Sequence, residues 1–147
     1  MKQAHEIEPK NFETTYKIGE ALRVESWQGN DDFKERAEEA MQWFRRGIEL
    51  NRHDAYNYLR TGMCLDWLGR SDEADQHFKR AGELDPNGFY VVAHLGWHQI
   101  NLGNWSRAKT YFERSLELTA VPYRPNPLAA SYLEIVKQRL AEAAPAR

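Results

Sequence analysis

Apolar side chains recur along this chain at helical spacing, and the same set of them returns after 34 residues. Gly62 comes back as Gly96, Leu68-Gly69 as Leu102-Gly103, Ala74 as Ala108, Phe78 as Phe112 and Leu84 as Leu118. A fixed period of this length marks a stack of small units rather than one globular core. Within the unit 55–88, Tyr58, Thr61, Gly62 and Leu65 stand at i, i+3, i+4, i+7 and predict one face of a helix. Leu68-Gly69 predicts its end, with glycine in the left-handed position that closes many helices. Ser71 is expected to cap a second helix with its side-chain oxygen. That helix shows Ala74, Phe78 and Ala81 on one face and closes at Asp85-Pro86. Each unit is therefore expected to be a pair of antiparallel helices, with Gly62 and Ala74 small because the two helices approach closely there.

The unit 89–122 repeats the pattern with Val92, Leu95, Gly96, Gly103, Ala108, Phe112 and Ser115, while Gln99 replaces Leu65 and Ala120 replaces Pro86. The upstream unit, 12–54, is in phase only by halves. Ala40, Phe44 and Leu50 lie 34 residues before Ala74, Phe78 and Leu84, but Gly19 lies 43 residues before Gly62. The additional residues fall around Ser26-Trp27-Gln28-Gly29-Asn30-Asp31-Asp32, a turn-rich stretch with a helix start at Asn30–Asp32. A long hairpin is predicted, its tip projecting beyond the neighbouring units. Pro125-Asn126-Pro127 then opens a last helix over 126–143, with Asn126 as N-cap and Pro127 at the first position. Its expected apolar stripe is Leu128, Tyr132, Ile135, Val136 and Leu140, with Glu134, Lys137, Arg139 and Glu142 facing water, as a terminal lid requires.

Bulk properties narrow the function classes without choosing among them. The 147 residues fit a single domain, with 41% hydrophobic and 29% charged residues, an ordinary balance for a folded chain. Net charge is −2 with the signs interspersed, so no basic stripe offers itself to phosphates and a nucleic-acid partner is not expected. The single Cys64 excludes an internal disulfide and a cysteine-built zinc site. No apolar run approaches the roughly 18–20 residues that would span a bilayer. Direct membrane insertion of this chain is not expected. A soluble setting is, cytoplasmic by default or as the soluble domain of a membrane protein.

These residues resemble the tetratricopeptide-repeat (TPR) family, whose 34-residue signature runs W-x2-L-G-x2-Y, A-x3-F, P. The matching segments are Tyr58-x2-Thr61-Gly62-x2-Leu65, Ala74-x3-Phe78 and Pro86, then Val92-x2-Leu95-Gly96 and Ala108-x3-Phe112. The resemblance implies an all-α fold: an α-α superhelix of about three helix pairs with a C-terminal capping helix, holding a peptide or partner protein in its concave groove. The first helices of the pairs would line that groove. Matching the repeats places Tyr16, Glu20 and Arg23 there from the first unit, Tyr56, Leu59, Arg60, Met63 and Trp67 from the second, and Tyr90, His94, Trp97 and Asn101 from the third. Such an aromatic wall with few charges suits an apolar or aromatic segment fixed by one or two polar contacts. The alternative reading has Trp67 and Trp97 filling gaps between adjacent helices. Some members of the family clamp acidic chaperone tails with lysines, arginine and asparagines on these helices. The matching positions hold Tyr16, Glu20, Arg60, Tyr90 and His94, of which only Arg60 suits a carboxylate.

Two further expectations concern the parent protein. Ala4-His5-Glu6-Ile7-Glu8-Pro9 looks like the tail of a preceding unit, as Ala81–Pro86 is in the 55–88 unit, so the chain is expected to be a piece of a longer protein. The run Tyr56–Arg70, followed by Ala93–His98, also resembles the C-terminal repeats of some bacterial O-antigen ligase-like membrane proteins. That resemblance implies an accessory module in envelope polysaccharide assembly.

No catalytic constellation, cofactor motif or phosphate loop appears, and the chain is not expected to be an enzyme. His94 and His98 stand four apart on one helix face, the spacing of a metal pair, but no third ligand is near in sequence and packing is the simpler reading. Asn30-Asp31-Asp32 lacks the spaced oxygens of a calcium loop and reads as a helix start. Cys64 lies within an amphipathic helix and reads as a small packed residue rather than a nucleophile. Arg45-Arg46 and Lys79-Arg80 read as solvated faces.

Overall fold

The computed structural model describes residues 11–144, so the repeat-like tail Ala4–Pro9 lies outside the described residues. Among those residues there are seven helices: α1 (Phe12–Trp27), α2 (Phe33–Leu50), α3 (Ala55–Trp67), α4 (Ser71–Leu84), α5 (Phe89–Asn101), α6 (Trp105–Ala120) and α7 (Pro127–Ala143). They fall into two compact units divided after Leu84. In the first, α1 packs on α2 and α3 on α4, with α2 and α3 joining the pairs. In the second, α5 packs on α6 and α7 on α6.

The same wedge closes every pair. Phe44, Phe78 and Phe112 are essentially without solvent exposure, and their rings lie on the backbones of Gly19, Gly62 and Gly96. A Cβ added at Gly62 would stand 2.8 Å from the Phe78 ring, and one at Gly19 2.6 Å from that of Phe44. Ala40, Ala74 and Ala108, four residues before each phenylalanine, are likewise fully buried. The close approach expected from Gly62 and Ala74 is thus present, with an aromatic ring as its cause.

The turn between α3 and α4 follows from Gly69, whose φ of 76° belongs to the left-handed region. The Arg70 N–H reaches back to the Leu65 carbonyl at 2.8 Å, and Asn104 repeats this bond to Gln99 after Gly103. So tight a turn puts Arg70 immediately before α4, and its carbonyl accepts from the Ala74 N–H at 3.1 Å. Ser71 is therefore the first residue of the helix and not its cap, a correction to the sequence expectation.

The long hairpin is formed by lengthened helices: α1 has 16 residues and α2 has 18, against 13 and 14 for α3 and α4. Its tip at 28–32 is exposed, but the base of the tip is tied down. Ser26 Oγ donates to the Phe33 carbonyl at 2.6 Å, and Trp67 Nε1, at the end of α3, donates to Ser26 Oγ at 2.9 Å. The Trp67 ring also meets Trp27 at 6.2 Å and Phe33 at 5.7 Å between centroids.

In the second unit the lid is seated by Ala129, Leu133 and Val136, with Tyr132 stacked on Phe112 at 5.7 Å and 9°. Ile135, expected in the stripe, is 52% exposed. It lies one residue short of Val136 and two beyond Leu133, so it is rotated off the face both occupy. Asn126 does cap α7, accepting from the Ala129 N–H at 3.4 Å, and its amide nitrogen also donates to the Ser115 carbonyl and hydroxyl at 3.1 and 2.9 Å. Asn126→Ala removes the cap and the bridge to α6 together. The expected loss is about 1–2 kcal/mol, read as a lower denaturant midpoint, with Asn126→Asp restoring the cap but not the donor.

Candidate functional site

On α1, Tyr16, Glu20 and Arg23 follow one another at i, i+4, i+7, and on α3 so do Tyr56, Arg60 and Met63, with Trp67 a turn further. The two stripes face each other within the first unit. Arg23 grips the Glu20 carboxylate with two donors, Nε at 2.5 Å to one oxygen and Nη2 at 3.0 Å to the other. Arg60 Nε reaches the same carboxylate at 3.1 Å and the Tyr16 hydroxyl at 3.1 Å, while its Nη1 donates to Met63 Sδ at 3.4 Å. Arg23 also lies over the Trp27 ring, 4.6 Å from its centroid. Tyr16 and Tyr56 meet edge to face at 6.5 Å.

Burial sorts these residues into two roles. Leu59 and Met63 are inside, at 0% and 3% exposure, and form the floor of the face. Arg23 and Arg60 are also largely covered, at 6% and 8%, held there by the shared carboxylate. Tyr16, Glu20 and Tyr56 are half-buried, and Trp67 is 39% exposed at the hairpin end. What the face offers a ligand is aromatic edge and a fixed, hydrogen-bonded charge cluster. Its hairpin neighbours Ser26, Trp27 and Phe33 escape a sequence reading, because a contact spanning 41 residues leaves no local periodic signal.

The second unit carries its own face on α5. The Tyr90 ring lies 4.2 Å from the His94 ring, and His94 Nδ1 stands 2.9 Å from the Tyr90 carbonyl. Trp97 packs against the core of Ala93, Phe112 and Leu133, and Asn101 is exposed. His98 is 1% exposed and inside. Among the described residues no group of three His, Cys, Asp or Glu side chains could hold a metal ion.

Cys64 is fully buried beneath the charge cluster, and burial pushes its thiol up to about 12. The thiolate that would act as a nucleophile is thus a negligible species at neutral pH. Iodoacetamide at pH 8 is expected to leave native Cys64 unmodified and to label it fully in denaturant, followed by mass spectrometry. Among the described residues no helix is long and apolar enough to cross a membrane.

The helix pairs with their aromatic wedges define a class of helical-repeat proteins, and comparison with known proteins says which. The tetratricopeptide-repeat family model matches residues 56–88. A thermophilic TPR protein of Thermus thermophilus superposes with a TM-score of 0.83 at 18% identity, over 93% of this chain and 69% of that one. The first TPR domain of Spaghetti (RPAP3), solved with the HSP90 peptide SRMEEVD, gives 0.64 at 21% identity over 85% of this chain and 94% of its own. The Yersinia enterocolitica type III secretion chaperone SycD, solved with a peptide of the translocator YopD, gives 0.65 at 20% identity over 86% and 92%. No curated protein sequence matches the chain. Residues 56–88 are a tetratricopeptide repeat, and the chain has the all-α tetratricopeptide-repeat fold.

Proposed function

We infer that this chain is a non-catalytic binding module that holds a segment of another protein, with repeats at 12–54, 55–88 and 89–122 and a capping helix at 126–143. The observation that carries this reading is the α1–α3 face. Tyr16, Tyr56 and Trp67 present partly exposed aromatic surface around a guanidinium–carboxylate cluster that is already fixed in place. Rigid aromatic side chains beside immobilised arginines are the usual anchors of protein interfaces, since little freedom remains to be lost on binding. On α5, Tyr90, Trp97 and Asn101 would serve the same purpose in their own unit, with His94, 6% exposed, packed against the Tyr90 ring.

Two of the structural neighbours were solved with a peptide of another protein, one from HSP90 and one from the translocator YopD. Peptides from unrelated proteins are thus held on this fold. Here Glu20 engages both Arg23 and Arg60, so an acidic tail would have to compete with it for their guanidiniums. A soluble setting, in the cytoplasm or as part of a larger membrane-associated protein, suits such a module. The envelope-polysaccharide reading gains nothing from these neighbours.

The test is a peptide selected by display on the whole chain and titrated calorimetrically. Tyr56→Ala is expected to weaken it about tenfold or more while shifting the melting temperature little. Equal damage to affinity and stability would return Tyr56 to a packing role. Binding of oligosaccharides with no peptide binding would sink the reading.

A further inference from the structure

On the other side of α3 from Arg60, the first unit contains a trough of about 400 Å³. Its apolar lining is Met41 and Ile48 from α2 and Leu65 from α3, with Thr61 of α3 beside them. Arg70 also lines it, its guanidinium held by Glu38 and Glu73, each at 2.8 Å. Those three charges satisfy one another. Arg45 on the α2 side of the trough is different, for it is exposed and has no ion-pair partner among the described residues. Gln42 and His77 line the trough as well, offering an amide and an imidazole at the rim.

The arrangement also departs from an ordinary solvated helix face. Glu38, Met41, Gln42, Arg45 and Ile48 form one stripe along α2; Met41 packs partly on the core of Ile18, Leu22, Phe44 and Cys64, and Ile48 is half-buried on the trough side, where a stripe meant only for water has no use for it. The volume is within the range of sites that take an apolar group with a few convergent polar contacts. The single unmatched charge on the lining is positive.

We propose that this trough is a second binding site, which receives a protein segment presenting a leucine-sized apolar side chain beside a carboxylate. The apolar group lies on Met41, Ile48 and Leu65, and the carboxylate pairs with Arg45. A peptide is the fitting occupant because the Gln42 amide and His77 imidazole on the lining can meet backbone groups while Arg45 meets the carboxylate. The site is separate from the α1–α3 face and stands or falls independently of it.

The probe is the blocked peptide acetyl-Ser-Leu-Glu-Ser-amide, added to the whole chain while the methyl signals of Met41, Ile48 and Leu65 are followed by NMR. Saturable shifts of these methyls in the low-millimolar range are expected. Replacing the glutamate of the peptide by glutamine, or its leucine by serine, should weaken binding at least fivefold. Arg45→Glu should do the same, and since Arg45 is exposed this variant keeps the fold. Tyr56→Ala should leave the shifts unchanged. The proposal is overturned if no methyl shift saturates, or if the shifts centre on Tyr16 and Tyr56. It is also overturned if free N-acetyl-leucine saturates the trough and the blocked peptide does not.

Discussion

Phe78→Ala is expected to lower the stability of the first unit by about 3–5 kcal/mol, more than any other single substitution proposed for this chain. The ring is 1% exposed and fills the space above Gly62 that no side chain on α3 can fill. Removing it leaves a cavity above Gly62, which has no side chain to relax inward. The converse change probes the same contact from the other side. Gly62→Ala forces a methyl to within 2.8 Å of the ring and should cost about 1–3 kcal/mol. In the double variant Gly62→Ala/Phe78→Leu the smaller side chain makes room, so the two losses should fall well short of their sum. Additive losses, measured by denaturant titration, would mean that the glycine and the ring do not act as one contact.

Glu20→Gln is the second large effect, and its origin is charge rather than volume. Glu20 is the carboxylate between Arg23 and Arg60, whose side chains are 8% and 10% exposed. Arg23 Nη1 is buried without an acceptor even in the intact cluster. Neutralising Glu20 leaves two covered guanidiniums facing one amide. Breaking a buried pair in this way is costly, and the 22% exposure of Glu20 moderates the penalty to roughly 2–4 kcal/mol. Glu20→Gln with Arg60→Met should recover part of it, because the uncompensated charge goes. Glu73→Gln provides the contrast. Arg70 holds the Glu73 carboxyl below its usual range, but the pair is in open solvent, and no measurable change in stability is expected.

Residues that act within one helix pair are legible in the sequence. Gly62, Ala74 and Phe78 recur as Gly96, Ala108 and Phe112, and repetition separates a packing requirement from chance. Asn126-Pro127 is legible because capping is local chemistry. Four things are not. Ser71 reads as a cap because its side-chain oxygen could meet the free amides of the next helix, whereas the closing bond from Arg70 to Leu65 shortens the turn by one residue. Leu133 and Ile135 are both aliphatic and two apart, and only the docking angle of α7 says which one turns inward. The candidate face reads as surface throughout, yet Leu59 and Met63 are floor, since α2 and α3 pack together and bury a second side of α3. Pairings such as Arg60 with Tyr16, 44 residues apart, depend on tertiary placement that no periodicity encodes.

The three phenylalanine wedges fall at 44, 78 and 112, evenly spaced, while their glycines fall at 19, 62 and 96 and are not. The first hairpin is longer than the second, and its wedge is the same. What a gene must copy faithfully is thus the glycine and the ring; the reach of the turn between them is free to drift. New material spliced in at such a turn would change what the protein can touch while leaving the means by which it folds as it was.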